Sequence, residues 1–129
     1  MKYDPIDMHK KKSDSLVVHC SDPRFQSAYR KIIDELADYH DLVVIPGASK
    51  AIADSKLVVD NIKMLHGLHN FETIHILDHV ECGAFGKIAD EVKDHSAYVK
   101  KAKQALKNAI PNIKINAHLL HADSAIELS

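Results

Sequence analysis

Short apolar runs alternating with segments of helical periodicity predict an α/β fold, a single domain with a central parallel β-sheet and helices on both faces. The runs Leu16-Val17-Val18-His19, Leu42-Val43-Val44-Ile45 and Thr73-Ile74-His75-Ile76-Leu77 are short and mostly apolar, as expected of strands covered on both sides. The stretches between them repeat apolar residues at i, i+3, i+4 and i+7, the spacing of one helix face. A length of 129 residues suits one domain with its own core. Residues 1–13 are expected to form an N-terminal arm and residues 14–129 the domain.

In chain order, Ser15 to Cys20 is expected as a buried strand. Gln26 to Tyr39 is expected as a helix, with Tyr29, Ile32, Ile33, Leu36 and Ala37 on one face. Leu42 to Ile45 is the second strand, stopped by Pro46-Gly47. Ala53 to His69 reads as one helix with Leu57, Val58, Ile62 and Leu65 on one side, ended by Gly67 and Asn70. Thr73 to Asp78 is the third strand. Ser96 to Ala109 is a helix with Tyr98, Val99, Ala102 and Leu106 inward, broken by Pro111-Asn112. Ile113 to His121 alternates with period two, as a fourth strand does. Ala125 to Leu128 is a short return strand that would pair antiparallel at the edge. Strand order 2-1-3-4 would make the first and third strands neighbours, and ligands of such sheets bind outside the carboxyl ends of the strands.

Composition narrows the function classes. The apolar fraction of 46% and charged fraction of 27% are ordinary for a globular chain. A formal net charge of −1 leaves no basic footprint for nucleic acid. The one basic run, His9-Lys10-Lys11-Lys12, reads as a solvated arm. No apolar run reaches membrane-spanning length, and no signal-peptide core follows Met1, so no membrane partner and a cytoplasmic location are expected. In that compartment the two cysteines would be metal ligands, catalytic groups or buried small hydrophobes rather than a disulfide.

Both cysteines fall in short clusters immediately after strands. Cys20-Ser21-Asp22-Pro23-Arg24 follows the first strand, and His79-Val80-Glu81-Cys82 follows the third. Two thiolates and an imidazole, Cys20, His79 and Cys82, form a soft ligand set that suits Zn²⁺, one ion per chain. Three protein ligands leave a fourth position, as a catalytic site requires. The plainer alternative is two unrelated core cysteines. Asp22 could cap the following helix or form a bidentate pair with Arg24. Paired, it would leave the fourth position open; unpaired, it could become the fourth ligand. His75 reads as a core or surface histidine. Asp78 could hydrogen-bond a metal-bound histidine or serve a turn, and Pro46-Gly47-Ala48-Ser49 could line a pocket or simply lead into a helix.

The two clusters together resemble those of the β-class carbonic anhydrases, which carry Cys-x-Asp-x-Arg after the first strand and His-x-x-Cys-Gly after the third. Residues, order and strand context match from about Leu16 to the C-terminal strand. The resemblance implies zinc on Cys20, His79 and Cys82. It also implies that Asp22 and Arg24 form a catalytic dyad, and that the chain is a homodimer or higher homo-oligomer. The apolar Leu57, Val58 and Leu65 are candidates for the face that a partner copy would cover.

The chain departs from the family at three places. Few residues precede the first strand, so the N-terminal helices that usually wrap the partner subunit are not expected. The usual Arg-Asn-Ala-Gly after the second strand is Pro46-Gly47-Ala48-Ser49, and the glycine that usually precedes the zinc histidine is Asp78. The activity implied is carbonic anhydrase, a lyase: zinc-dependent reversible hydration of CO2 to bicarbonate by a metal-bound hydroxide. Two alternatives stay open. One is a related zinc hydrolase acting on a CO2-like molecule such as CS2 or COS. The other is a non-catalytic zinc-binding protein with the same fold.

Overall fold

The computed structural model describes residues 1–129. Five strands form one sheet: β1 (Ser15–His19), β2 (His40–Val44), β3 (Thr73–His79), β4 (Lys114–Leu120) and β5 (Ala125–Leu128). Their order is β2-β1-β3-β4-β5. The first four strands are parallel and β5 is antiparallel to β4. This is the order expected from the sequence, with β1 and β3 adjacent.

Alternation along the strands divides the core between two faces. Ile74 and Ile76 of β3 join Leu16 and Val18 of β1 in the larger apolar cluster. Three helices cover that face: α2 (Ser49–Asp54), α3 (Lys56–His69) and α4 (Glu91–Ala109), which contribute Ile52, Ile62 and Leu106 among others. Val17, Leu77 and Leu120 point the other way, towards Tyr29 and Ile33 of α1 (Gln26–Leu36) and Phe25 just before it.

Four expectations are corrected. Ala53 to His69 is not one helix: Ser55 is extended (φ −124°, ψ 110°), and its hydroxyl accepts the Val58 N–H, so the chain breaks after α2 and recaps as α3. Asn70 ends α3 in the left-handed region at φ 53°, whereas Gly67 lies inside the helix. Helix α4 starts at Glu91 rather than Ser96, because the Asp90 side chain caps it by accepting the Lys93 N–H. Strand β2 is not covered on both sides. It is an edge strand, and Leu42 and Val44, in register with Val17 and His19 of β1, stay 48% and 47% exposed. Of the apolar residues expected on one side of the second helix, Val58 is buried and Leu65 packs on the larger cluster, while Leu57 is 69% exposed.

This division of the core makes a direct expectation. Leu106→Ala, at a fully buried position, should cost about 2–5 kcal/mol in urea unfolding. Leu57→Ala should stay within about 0.5 kcal/mol of the parent chain.

Candidate metal centre

The sheet brings both clusters to the carboxyl ends of adjacent strands. β1 pairs with β3 from Ser15 opposite Thr73 to His19 opposite Leu77. Pairing of β3 with β4 continues to His79 opposite Leu120, so His79 is still held in the ladder. Cys20 Sγ and Cys82 Sγ, 62 positions apart in the chain, lie 3.9 Å from one another, and both cysteines are free. Their sulfurs and a ring nitrogen of His79 all fall within 4.8 Å of one another, and all three residues are buried.

The donor chemistry fits a metal ion. Two thiolates bound at about 2.3 Å in tetrahedral geometry would stand about 3.8 Å apart. His79 Nδ1 donates to the Val80 carbonyl at 2.7 Å, because a carbonyl can only accept. With Nδ1 taken up in this way, Nε2 is the ring nitrogen left for a ligand, and this buried atom has no hydrogen-bond partner. Phe25 fixes the ring plane, stacked at 4.4 Å between centroids. Burial pushes the Cys82 thiol up to about 11 when no cation is near. A bound cation reverses that logic by stabilising the thiolate.

Asp22 lies beside the cluster but not in it. Its carboxylate accepts the Arg24 backbone N–H at 2.8 Å, capping the 3₁₀ turn Pro23–Phe25. The same carboxylate takes the Arg24 guanidinium through Nε at 3.1 and 3.2 Å and Nη2 at 2.8 Å. The capping and ion-pair readings of Asp22 are therefore both satisfied at once. Asp22 Oδ2 stands 3.8 Å from His79 Nε2, facing the same space as the sulfurs. The Arg24 guanidinium holds the Asp22 carboxyl at about 2, below its ordinary 3.8.

Several contacts supporting the cluster have no separate signal in the sequence. The Gln26 side-chain amide donates to the carbonyls of Cys20 and Asp22 at 3.2 and 2.7 Å and so sets the first loop. Arg24 Nη2 also donates to the Glu81 carbonyl at 3.0 Å and so joins the two loops. Asp78 does not reach His79, as one expectation allowed. Its side chain leaves the opposite face of β3 and meets Ser49 and His95. The Pro46–Ser49 segment leads into α2. Gly47 sits at φ 85°, and a Cβ there would come within 3.1 Å of Ala84 Cβ. His75 is buried, on the same face as His79, with Nδ1 unpartnered. An open cleft of about 580 Å³, lined by residues 81–83, 86–88 and Glu91, reaches Cys82 from solvent.

A family model described as "Putative carbonic anhydrase" matches residues 10–128. The chain belongs to this carbonic anhydrase family. An uncharacterised protein of Rickettsia bellii is 31% identical over 89% of this chain and 80% of its own length. An uncharacterised protein of Rickettsia conorii is 30% identical over 89% of this chain and 71% of its own. Among solved structures, β-carbonic anhydrase isoform I of Trichomonas vaginalis superposes with a TM-score of 0.71 at 16% identity, covering 97% of this chain and 87% of that one. The carbonic anhydrase of Streptococcus mutans gives 0.68 at 19% identity, covering 93% and 84%. The chain thus has a β-class carbonic anhydrase fold as well as a family sequence. No helix is long and apolar enough to cross a membrane.

The charge state of the Asp22–Arg24 pair sets an expectation in acid. The folded Asp22 pKa lies below the unfolded value, so the pair's contribution to stability is present above about pH 3.8 and is lost as pH falls through about 2. The stability gap between the parent chain and Arg24→Ala should therefore narrow from pH 4 to pH 2, read by chemical unfolding at each pH.

Proposed function

We propose that this chain is a zinc-dependent carbonic anhydrase that interconverts CO2 and bicarbonate, with Cys20, His79 and Cys82 holding the ion. The observation that carries this reading is the pairing of Asp22 with Arg24 beside the buried Cys-His-Cys cluster. With both carboxylate oxygens engaged by Arg24, Asp22 leaves a three-ligand set and an open fourth position.

When bound, zinc supplies a Lewis acid that makes water a competent nucleophile near neutral pH. The chain's own residues do the rest. His79 is locked in the tautomer that offers Nε2 inward. Asp22 is ionised, so Oδ2 can accept a hydrogen bond from the reacting water and aim its lone pair at the CO2 carbon. Arg24 keeps that carboxylate from swinging onto the ion. Phe25, stacked on His79, and Val80 make the surroundings of the cluster apolar. An open cleft that Cys82 helps to line lies beside the cluster.

The test is stopped-flow CO2 hydration on zinc-quantified protein from pH 6.5 to 9. About one zinc per chain and activity rising with pH are expected, because two thiolates make the bound water less acidic than three imidazoles would. Asp22→Asn and Arg24→Ala should keep the zinc and lower turnover by about 100-fold or more. Zinc without hydration, but with turnover of COS or CS2, would move the assignment to a related hydrolase. Zinc with neither would make the chain a binding protein.

A homodimer or higher homo-oligomer belongs to the same proposal. It is supported by Leu42 and Val44, exposed on the free edge strand β2. Light scattering should give at least twice the chain mass of 14.4 kDa.

A further inference from the structure

On the face of β3 opposite the metal cluster begins a polar chain, buried at Asp78 and His95 and surfacing at Glu91, that the proposed reaction does not use. Asp78, 2% exposed, accepts the Ser49 backbone N–H at 3.0 Å, the Ser49 hydroxyl, and His95 Nδ1 at 2.7 Å. His95 is fully buried on α4 under the Phe85 ring, 4.0 Å between centroids. Its Nε2 lies 3.2 Å from Glu91 Oε2, one helical turn earlier, in ion-pair range but without hydrogen-bond alignment. The other oxygen, Glu91 Oε1, accepts the Glu81 backbone N–H at 3.2 Å. The chain therefore leaves the residue before His79, crosses α4, and returns to the residue before Cys82.

Glu81 is the reason this closure matters. It stands between two members of the cluster at φ 54°, in the left-handed region. A glutamate keeps that conformation only where its surroundings over-determine it. Here its N–H is held by Glu91 and its carbonyl by Arg24. Both peptide groups of the residue are thus pinned by side chains from other parts of the fold. A loop already ordered for its ligand loses less conformational entropy on binding than one ordered at that moment.

We propose that Glu91, packed beside His95 on α4, is a positioning residue for the metal loop. By accepting the Glu81 N–H it fixes the left-handed turn that presents His79 Nε2 and Cys82 Sγ to one ion. This inference rests on the reading of Cys20, His79 and Cys82 as metal ligands. Glu91 touches no ligand atom, so its removal should alter how well the ion is held without deleting a donor.

The experiment measures zinc affinity by chelator competition, and the absorption spectrum of the Co²⁺-substituted full chain, for the parent, Glu91→Ala, Glu91→Gln and His95→Leu. Supporting contacts around metal ligands are worth about 10–100-fold in affinity, so Glu91→Ala should weaken zinc at least about tenfold and alter the cobalt–thiolate bands. Glu91→Gln keeps an oxygen that can accept the Glu81 N–H and should remain close to the parent. His95→Leu should fall between the two. Tight binding by the parent with unchanged affinity and spectrum in Glu91→Ala would overturn the inference and leave the ligand assignment standing. So would a Glu91→Gln variant as weak as Glu91→Ala, since the carboxylate would then act through its charge. Parental behaviour of His95→Leu would overturn the link through α4. A parent chain that takes up no metal would overturn the ligand assignment itself, and this inference with it.

Discussion

Parallel pairing of β1 with β3 is the constraint on which the rest of the structure depends. Nothing local could join Cys20 to Cys82 across 62 positions. Parallel strands need a crossover, and here β2 and the helices α1, α2 and α3 lie between β1 and β3 in the chain. Once the pairing forms, both strands end at the same edge and release their next residues into one space. β3 runs on past that register alongside β4 to His79, and the Val80 N–H donates to the Leu120 carbonyl at 2.9 Å. His79 therefore has the rigidity of a strand, while Cys20 and Cys82 sit on the loops at either side of it.

The same strand serves two chemistries because its side chains alternate. His79 turns towards Phe25 and the cysteines, and Asp78 turns into the helical layer formed by α2 and α4. An ionised carboxylate in that layer would be costly if left unpaired. Three donors converge on it, from Ser49 and His95. Ser49 and Asp78 stand where the resembled β-class pattern carries glycine, and they bond to each other. These two departures are one feature, since either side chain alone would leave a buried polar group short of a partner. Together they fix the start of α2 against the end of β3.

Much of this was legible in the sequence. The strands, the helices and the cover on both faces of the sheet followed from period, length and turn residues, and the family resemblance added the antiparallel edge. The Asp22–Arg24 pair was legible because it spans two positions and one proline turn. The errors share a physical origin. Ser55 looks like an ordinary helix residue, and only its extended backbone makes it a cap. Leu42 and Val44 look like core residues, but they lie at the free edge of the sheet, where they stay exposed. Glu91 and His95 carry an i, i+4 spacing, which marks a shared helix face but says nothing about what that face meets.

The sequence by itself determined the kinds of element, their order in the sheet and the residues of the Cys-His-Cys cluster. Those properties follow from short-range patterning and from the few ways a βαβ chain can wind. Only the tertiary structure decided the partners of Asp78, at 29 and 17 positions along the chain, and the left-handed conformation of Glu81. Contacts between distant segments have no local signature, because the bond that stabilises each residue is supplied by a part of the chain that reaches it only after folding.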